Sequence, residues 1–429
     1  MYFIFYNVLL LDTRSIWHEK RVNLHIKDGI ICAVEATVHI ESSNIITVTD
    51  CSTQCVSIGW IDMRVLLPEP GLEHKETLLH GAKVAQRGGF TDIVLLPNTL
   101  PARQTKHDIA FVKQCQAQSL VALHPMVAVT IDTKGQDLTD MIDLHHAGAV
   151  AFSDGTATIL QTGILLKTLQ YLQLFGGVLI QRPAEKTLTQ HGVMNEGVQS
   201  TLLGLSGMPA IAETLLIQRD IQLLAYAGGK LHFSLLSCAE SVALIREAKK
   251  LGLAVTCDVA VHQLIFDDTI MQGFDSFFKV NPPFRTTQDI DALWEGLADG
   301  TIDAIVSDHQ PQDEESKNLE LDMADFGVIG LETFFSALHT ANQKRTIPLP
   351  TSLLLTKFTT APREILDLPI PVIAVGSVAN LTFFELDTET TITTKSLLST
   401  SKNSPFLGMT LQGGATGTMR GSVFTSTLL

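Results

Sequence analysis

Eight short apolar runs, at residues 57–62, 92–96, 121–129, 149–153, 178–181, 231–236, 254–260 and 303–307, constrain the fold of this chain more than any other feature. Between them lie stretches with helical periodicity, among them 73–86, 240–250 and 289–298; the first two are rich in Ala, Leu and Lys and end near a glycine. Eight strands alternating with helices over roughly 300 residues fit a (β/α)8 barrel of the α/β class better than an open sheet.

The segments on either side read differently. Residues 1–56 alternate apolar and polar positions, and Asp28-Gly29 sits in Asn23-Leu24-His25-Ile26-Lys27-Asp28-Gly29-Ile30-Ile31 as a hairpin signal. After Leu368-Pro369-Ile370-Pro371 the chain returns to β character through 379–384 and 419–424. Neither end can bury a core alone, so the two are expected to pair into one small β-sandwich. The expected division is therefore 1–56 and 368–429 for the sandwich and 57–367 for the barrel. No internal repeat or low-complexity tract interrupts it.

The 429 residues are 45% apolar and 17% charged, a composition that buries a large core and argues against disorder. A formal net charge of −15 disfavours nucleic acid and anionic membrane as partners. The apolar opening Met1-Tyr2-Phe3-Ile4-Phe5-Tyr6 lacks a preceding basic segment and reads as a strand rather than a signal peptide. Six scattered cysteines (32, 51, 55, 115, 238 and 257) form no disulfide framework, and Cys51 and Cys55 lack the second pair that a zinc finger needs. Free thiols and a cytoplasmic location are expected.

In a (β/α)8 barrel the working residues stand at the C-terminal ends of the strands. The residues that follow the runs are Arg64 and Leu66, Asn98, Asp154, Arg182, Leu235, His262 and Asp308. Zinc takes neutral imidazole, thiolate or carboxylate, whereas a fixed guanidinium repels it, so this set forms a polar pocket and not a metal site. A histidine at a strand end is more often a packing residue than a base, which is the expectation for His262 and His309.

The chain resembles the class I dihydroorotases of the amidohydrolase superfamily over nearly its whole length. The resemblance is carried by Ile58-Gly59-Trp60-Ile61-Asp62, Glu69-Pro70-Gly71-Leu72-Glu73-His74-Lys75-Glu76-Thr77, Arg87-Gly88-Gly89-Phe90-Thr91 and Pro97-Asn98-Thr99. Gly192-Val193-Met194-Asn195-Glu196-Gly197, Lys279-Val280-Asn281-Pro282-Pro283, Asp308-His309 and Ser401-Lys402-Asn403-Ser404-Pro405-Phe406 extend it. It implies a zinc site built from a His-x-His pair after strand one, an acidic group or modified lysine after strand four, histidines after five and six and an aspartate after eight. Those positions read Arg64, Leu66, Asp154, Arg182, Leu235 and Asp308 here, so all four histidines are gone. Pro68 stands where the family has a substrate-anchoring arginine, and Gln312 where it has a substrate-binding histidine. Asn98 and Asn281, substrate contacts by the same resemblance, are kept.

Zinc serves such a reaction by lowering the pKa of water from about 15.7 to near 7 and polarising the amide carbonyl. Without ligands it does neither, and Asp308, the family's proton shuttle, becomes vestigial. The resemblance is strongest to noncatalytic dihydroorotase-like subunits that assemble with the catalytic chain of aspartate transcarbamoylase, and implies a homodimer, no cofactor, and a scaffold role in pyrimidine biosynthesis. Two other readings remain: an active dihydroorotase or related cyclic amide hydrolase with an unorthodox metal-poor site, and a sensor of dihydroorotate or carbamoyl-aspartate. Arg64 and Arg182 are expected to place positive charge beside Asp154 and Asp308, forming a salt-bridged plug. The polar, acidic segment 309–326 reads as a solvated loop or a partner contact.

Overall fold

The computed structural model describes residues 1–36 and 46–427; part of the first β segment, 37–45, lies outside the described residues. Eight parallel strands run in chain order, Trp60–Val65, Phe90–Leu95, Ala122–Val127, Ala151–Phe152, Val178–Gln181, Lys230–Phe233, Val255–Ala260 and Ala304–Val306. We call them barrel strands one to eight. The first and last meet through Ser307 N donating to Asp62 Oδ2 at 3.1 Å and Leu66 N donating to the His309 carbonyl at 2.9 Å. A parallel bridge between Val65 and His309 completes the seam. Each strand is buried on both faces: Ile61, Met63, Val94, Met126 and Ile180 fill the interior, while Trp60, Val65, Phe90 and Leu95 pack outward against the helices. That two-sided burial is why the strands read as continuous apolar runs.

The run expected as strand one, 57–62, divides at Gly59. Cys55–Ile58 pairs antiparallel with the C-terminal strand Asn380–Thr391, and the barrel begins only at Trp60. A Cβ at residue 59 would come within 1.9 Å of Asn380 Oδ1, so glycine allows this close passage from one sheet to the other. The helix expected over 73–86 also begins later, at Leu78–Arg87, with Thr77 as N-cap accepting from His80 N at 3.3 Å. Residues 69–77 are held as loop because Glu69 Oε2 accepts from Leu78 N at 2.6 Å and buried Glu76 accepts from Ser399 Oγ at 2.7 Å. The helices Ala239–Lys250 and Thr287–Asp299 lie where their periodicity places them.

Among the described residues the N- and C-terminal strands join in one sheet of eight strands, separate from the barrel. Asp28 and Gly29, both at positive φ (51° and 84°), turn Lys20–Lys27 into Ile30–Glu35 as the hairpin signal requires. The sheet curls over its own core: the Phe5 ring on Tyr2–Leu10 packs tilted against Phe383 and Phe424, with centroids 4.4 and 5.1 Å away, and Phe424 lies on the far edge strand Val423–Ser426. Among the described residues no helix is long and apolar enough to cross a membrane, and all six cysteines are free.

Candidate functional site

The strand ends converge on a buried ion pair. Arg64, next to last in barrel strand one, extends its guanidinium across the mouth, and its Nε lies 2.9 Å from Asp308 Oδ1 with both side chains almost wholly buried. Nη1 reaches Ser234 Oγ at 3.4 Å after strand six, while Nη2 is buried without a partner. Gln310 Nε2 also donates to Asp308 Oδ1, at 2.8 Å. Beneath this pair lies a second polar layer. Asp258 accepts from His232 Nε2 and Ser234 Oγ, each at 2.9 Å, and from Leu235 N at 2.7 Å. Asp62 accepts from Arg64 N at 3.0 Å and from Ser307 N, and burial pushes its carboxyl up to about 7.

Arg182 does not complete the expected plug. Among the described residues no carboxylate lies within ion-pair distance of it; its Nη1 donates to Thr156 O at 2.8 Å and its Nη2 to Asn281 Oδ1. Asp154 is satisfied elsewhere, by Thr130 N at 2.9 Å and Thr130 Oγ1 at 2.6 Å, while burial raises its pKa. A short hydroxyl and an amide from the loop after strand three thus do what a guanidinium was expected to do. Burial and the neighbouring Arg64 charge lower the Arg182 pKa to about 10, so it stays a cation at neutral pH.

The two asparagines are engaged internally. Asn98 Nδ2 donates to the Asp154 carbonyl at 3.0 Å and its Oδ1 accepts from Thr156 N at 2.9 Å, clamping the turn between them; Asn281 holds Arg182. Leu235 is buried at φ 64° and Asp308 sits at φ 49°, so two left-handed backbone positions persist at these strand ends. Leu66 is half-buried. His262 packs edge-on against Phe284, and His309 Nδ1 accepts from Gly330 N at 3.3 Å. Both Nε2 atoms are buried without partners, and burial lowers each imidazole to about 4, so both are neutral near pH 7.

The segment after strand eight is pinned rather than purely solvated. Lys317 is buried and its Nζ donates to Asp325 O at 2.8 Å and Gly327 O at 3.2 Å. Gln312 is held between Lys75 Nζ at 2.5 Å and Phe326 O at 2.7 Å. Pro68 is buried and offers no charge.

The donor set does not suit zinc. A guanidinium already occupies Asp308, the positions of two further imidazoles are filled by leucines, and among the described residues no group of three or more His, Cys, Asp or Glu side chains is gathered to hold a metal. The apolar-run reading missed Asp62, His232 and Asp258. Ionisable residues inside central strands were the signal that could have found them, since such groups are buried only when partnered.

A dihydro-orotase-like family model matches residues 54–241. A dihydroorotase of Pelotomaculum thermopropionicum is 39% identical over 391 residues, covering 91% of each chain. One from Endomicrobium trichonymphae is 38% identical over 365 residues, covering 85% of this chain and 86% of its own. Among solved structures, an L-hydantoinase (dihydropyrimidinase) from Arthrobacter aurescens superposes with a TM-score of 0.86 at 24% identity, over 99% of this chain and 96% of that one. At that identity the likeness speaks to the fold alone. The eight-stranded parallel barrel with a separate sheet of terminal strands is the fold class that this structure shares. Within it, the chain belongs to the dihydroorotase family.

Proposed function

We propose that this chain is a noncatalytic member of its family, a dihydroorotase-like scaffold or assembly subunit for the catalytic chain of aspartate transcarbamoylase in pyrimidine biosynthesis. The observation that carries the reading is the Arg64–Asp308 pair, 2.9 Å apart and buried, at two positions where the resemblance implies zinc ligands. A hydrolytic barrel needs an activated water beside a free carboxylate, and here the carboxylate is neutralised by a fixed cation. His262 and His309 do not supply a substitute: they are enclosed, neutral and without a proton-relay partner. Conserving the fold while spending the pocket on internal pairing suits a protein used for its surfaces. On this reading it holds no zinc and forms a homodimer in the cytoplasm.

The test is co-expression with an aspartate transcarbamoylase catalytic chain. Copurification, with loss of transferase activity or solubility when this chain is omitted, is the expected result; a transferase equally active and stable alone would overturn the scaffold. Turnover of dihydroorotate by the purified chain with added zinc would instead establish an active cyclic amide hydrolase.

A further inference from the structure

A cavity of about 520 Å³ lies at the end of the barrel away from the mouth. Asp92 and His124, the third residues of barrel strands two and three, line it, and the strand-end residues Arg64, Arg182 and Asp308 do not. Arg363, on the helix Thr360–Ile365, and Asn380 and Arg420, on the terminal sheet, form further walls, so the cavity occupies the joint between the barrel and that sheet. In a (β/α)8 barrel this face ordinarily serves stability rather than chemistry.

The joint carries an excess of positive charge. Its lining holds Arg363, Arg420 and His124 against one carboxylate, Asp92. Asp92 is already engaged: it accepts from Thr91 Oγ1 at 2.8 Å, His124 Nε2 at 2.9 Å and Arg363 Nη2 at 2.8 Å. Arg14, whose charge also reaches Arg363, is paired with Asp12 at 3.3 Å. Arg420 is left over. Among the described residues no carboxylate lies within ion-pair distance of it, and its Nη1 donates to Leu120 O at 3.3 Å. In a chain with formal net charge −15 this is a local reversal of sign.

Beside that guanidinium the lining is aliphatic. Leu368, Ile370, Val372 and Val378 come to it from the connector that leads into the terminal sheet, and Val372 and Val378 are 42% and 61% exposed. Apolar side chains gathered next to a free cation suit a ligand that is charged at one end and greasy at the other.

We propose that this joint binds a small amphiphilic carboxylate, its head on Arg420 and its aliphatic tail along Leu368, Ile370 and Val378. A planar carboxylate matches the guanidinium fork, and the tail gains by leaving water against the connector. The volume lies within the range of small-molecule sites. A ligand here touches barrel and terminal sheet together and so ties one to the other. The binding requires neither hydrolysis nor a transferase partner, and it stands or falls separately from the scaffold role.

Isothermal titration calorimetry on the full chain compares octanoate with octanamide, which has the tail without the charge, and acetate, which has the charge without the tail. One octanoate per chain is expected, bound at least about tenfold tighter than either comparator, with affinity falling as salt rises. Bound octanoate is also expected to raise the melting temperature by mass action. Arg420→Gln is expected to weaken octanoate roughly three- to tenfold. Val378→Glu sets a like charge at an exposed wall position and is expected to weaken it at least about tenfold. Both variants are expected to keep the melting temperature of the ligand-free wild type. Octanoate bound no tighter than octanamide or acetate, or bound by either variant as tightly as by the wild type, overturns the proposal.

Discussion

Arg64 Nε and Asp308 Oδ1, 244 residues apart in sequence, meet at 2.9 Å where the first and last barrel strands close on each other. The pair ties the seam of the barrel as well as neutralising a carboxylate. It also inherits a geometric advantage: strands one and eight are neighbours only because the barrel closes, so strand-end residues of opposite charge are brought together by topology.

Removing one partner leaves the other buried and charged. Arg64→Met is expected to cost about 3–5 kcal/mol, the usual penalty for breaking a buried pair from one side. Arg64→Met combined with Asp308→Asn is expected to recover most of that loss, because no charge is then stranded. Urea denaturation of the wild type, both single variants and the double variant measures the coupling; a double variant as unstable as the sum of the singles would remove the case for a direct pair.

Metal removal is expected to do nothing. Dialysis against a chelator should leave the melting temperature unchanged, and metal analysis of the purified chain should find far less than one zinc per chain. A structural or catalytic zinc contributes binding energy to the folded state, so its loss lowers stability by mass action. A drop of several degrees on chelation would show that ligands other than those at Arg64, Leu66, Arg182 and Leu235 hold a metal.

Much of this architecture was legible because two-sided burial writes barrel strands as apolar runs. The boundaries were less so, since Gly59 sits inside one such run and its effect appears only where Asn380 crosses it at close range. Hydropathy also conceals the inner polar layer: Asp62 and Asp258 lie in strands made mostly of apolar residues, and their partners Ser307, His232 and Ser234 come from different strands or strand ends. The Arg64–Asp308 pair could be anticipated from opposite charges at adjacent strand ends. The fate of Asp154 could not, because Thr130 reaches it with one hydroxyl and one amide, and threonine in a loop carries no such signal.

Acid should weaken the protein through His262 and His309. Each has a folded pKa near 4, below the ordinary value of 6.5, so the unfolded chain binds more protons between those limits. Their contribution is fully present above about 6.5 and is lost as pH falls toward 4, roughly 3 kcal/mol for each complete titration. Asp62 works against them, because its raised pKa makes stability fall as pH rises toward 7. His262→Phe, which keeps an aromatic ring against Phe284, is expected to flatten the decline between pH 6.5 and 4 when stability is followed by denaturant titration. An unchanged slope would show that His262 is not enclosed as a neutral imidazole.

Asn98 is expected to behave as a clamp rather than a substrate contact. Its side chain bridges the Asp154 carbonyl and Thr156 N, and Gly155 between them sits at φ +67° with a Cβ position only 1.8 Å from Asn98 Oδ1. Asn98→Ala leaves two partly buried main-chain groups without their partner and should cost about 1–3 kcal/mol. Gly155→Ala adds a steric clash to a left-handed backbone and should cost at least about 1–2 kcal/mol. The double variant decides the mechanism: truncating Asn98 removes the 1.8 Å contact and leaves Pro97 Cδ at 3.0 Å, so the combined loss should be smaller than the sum of the separate losses. Strict additivity in thermal and urea unfolding would mean that the turn is not held by this side chain.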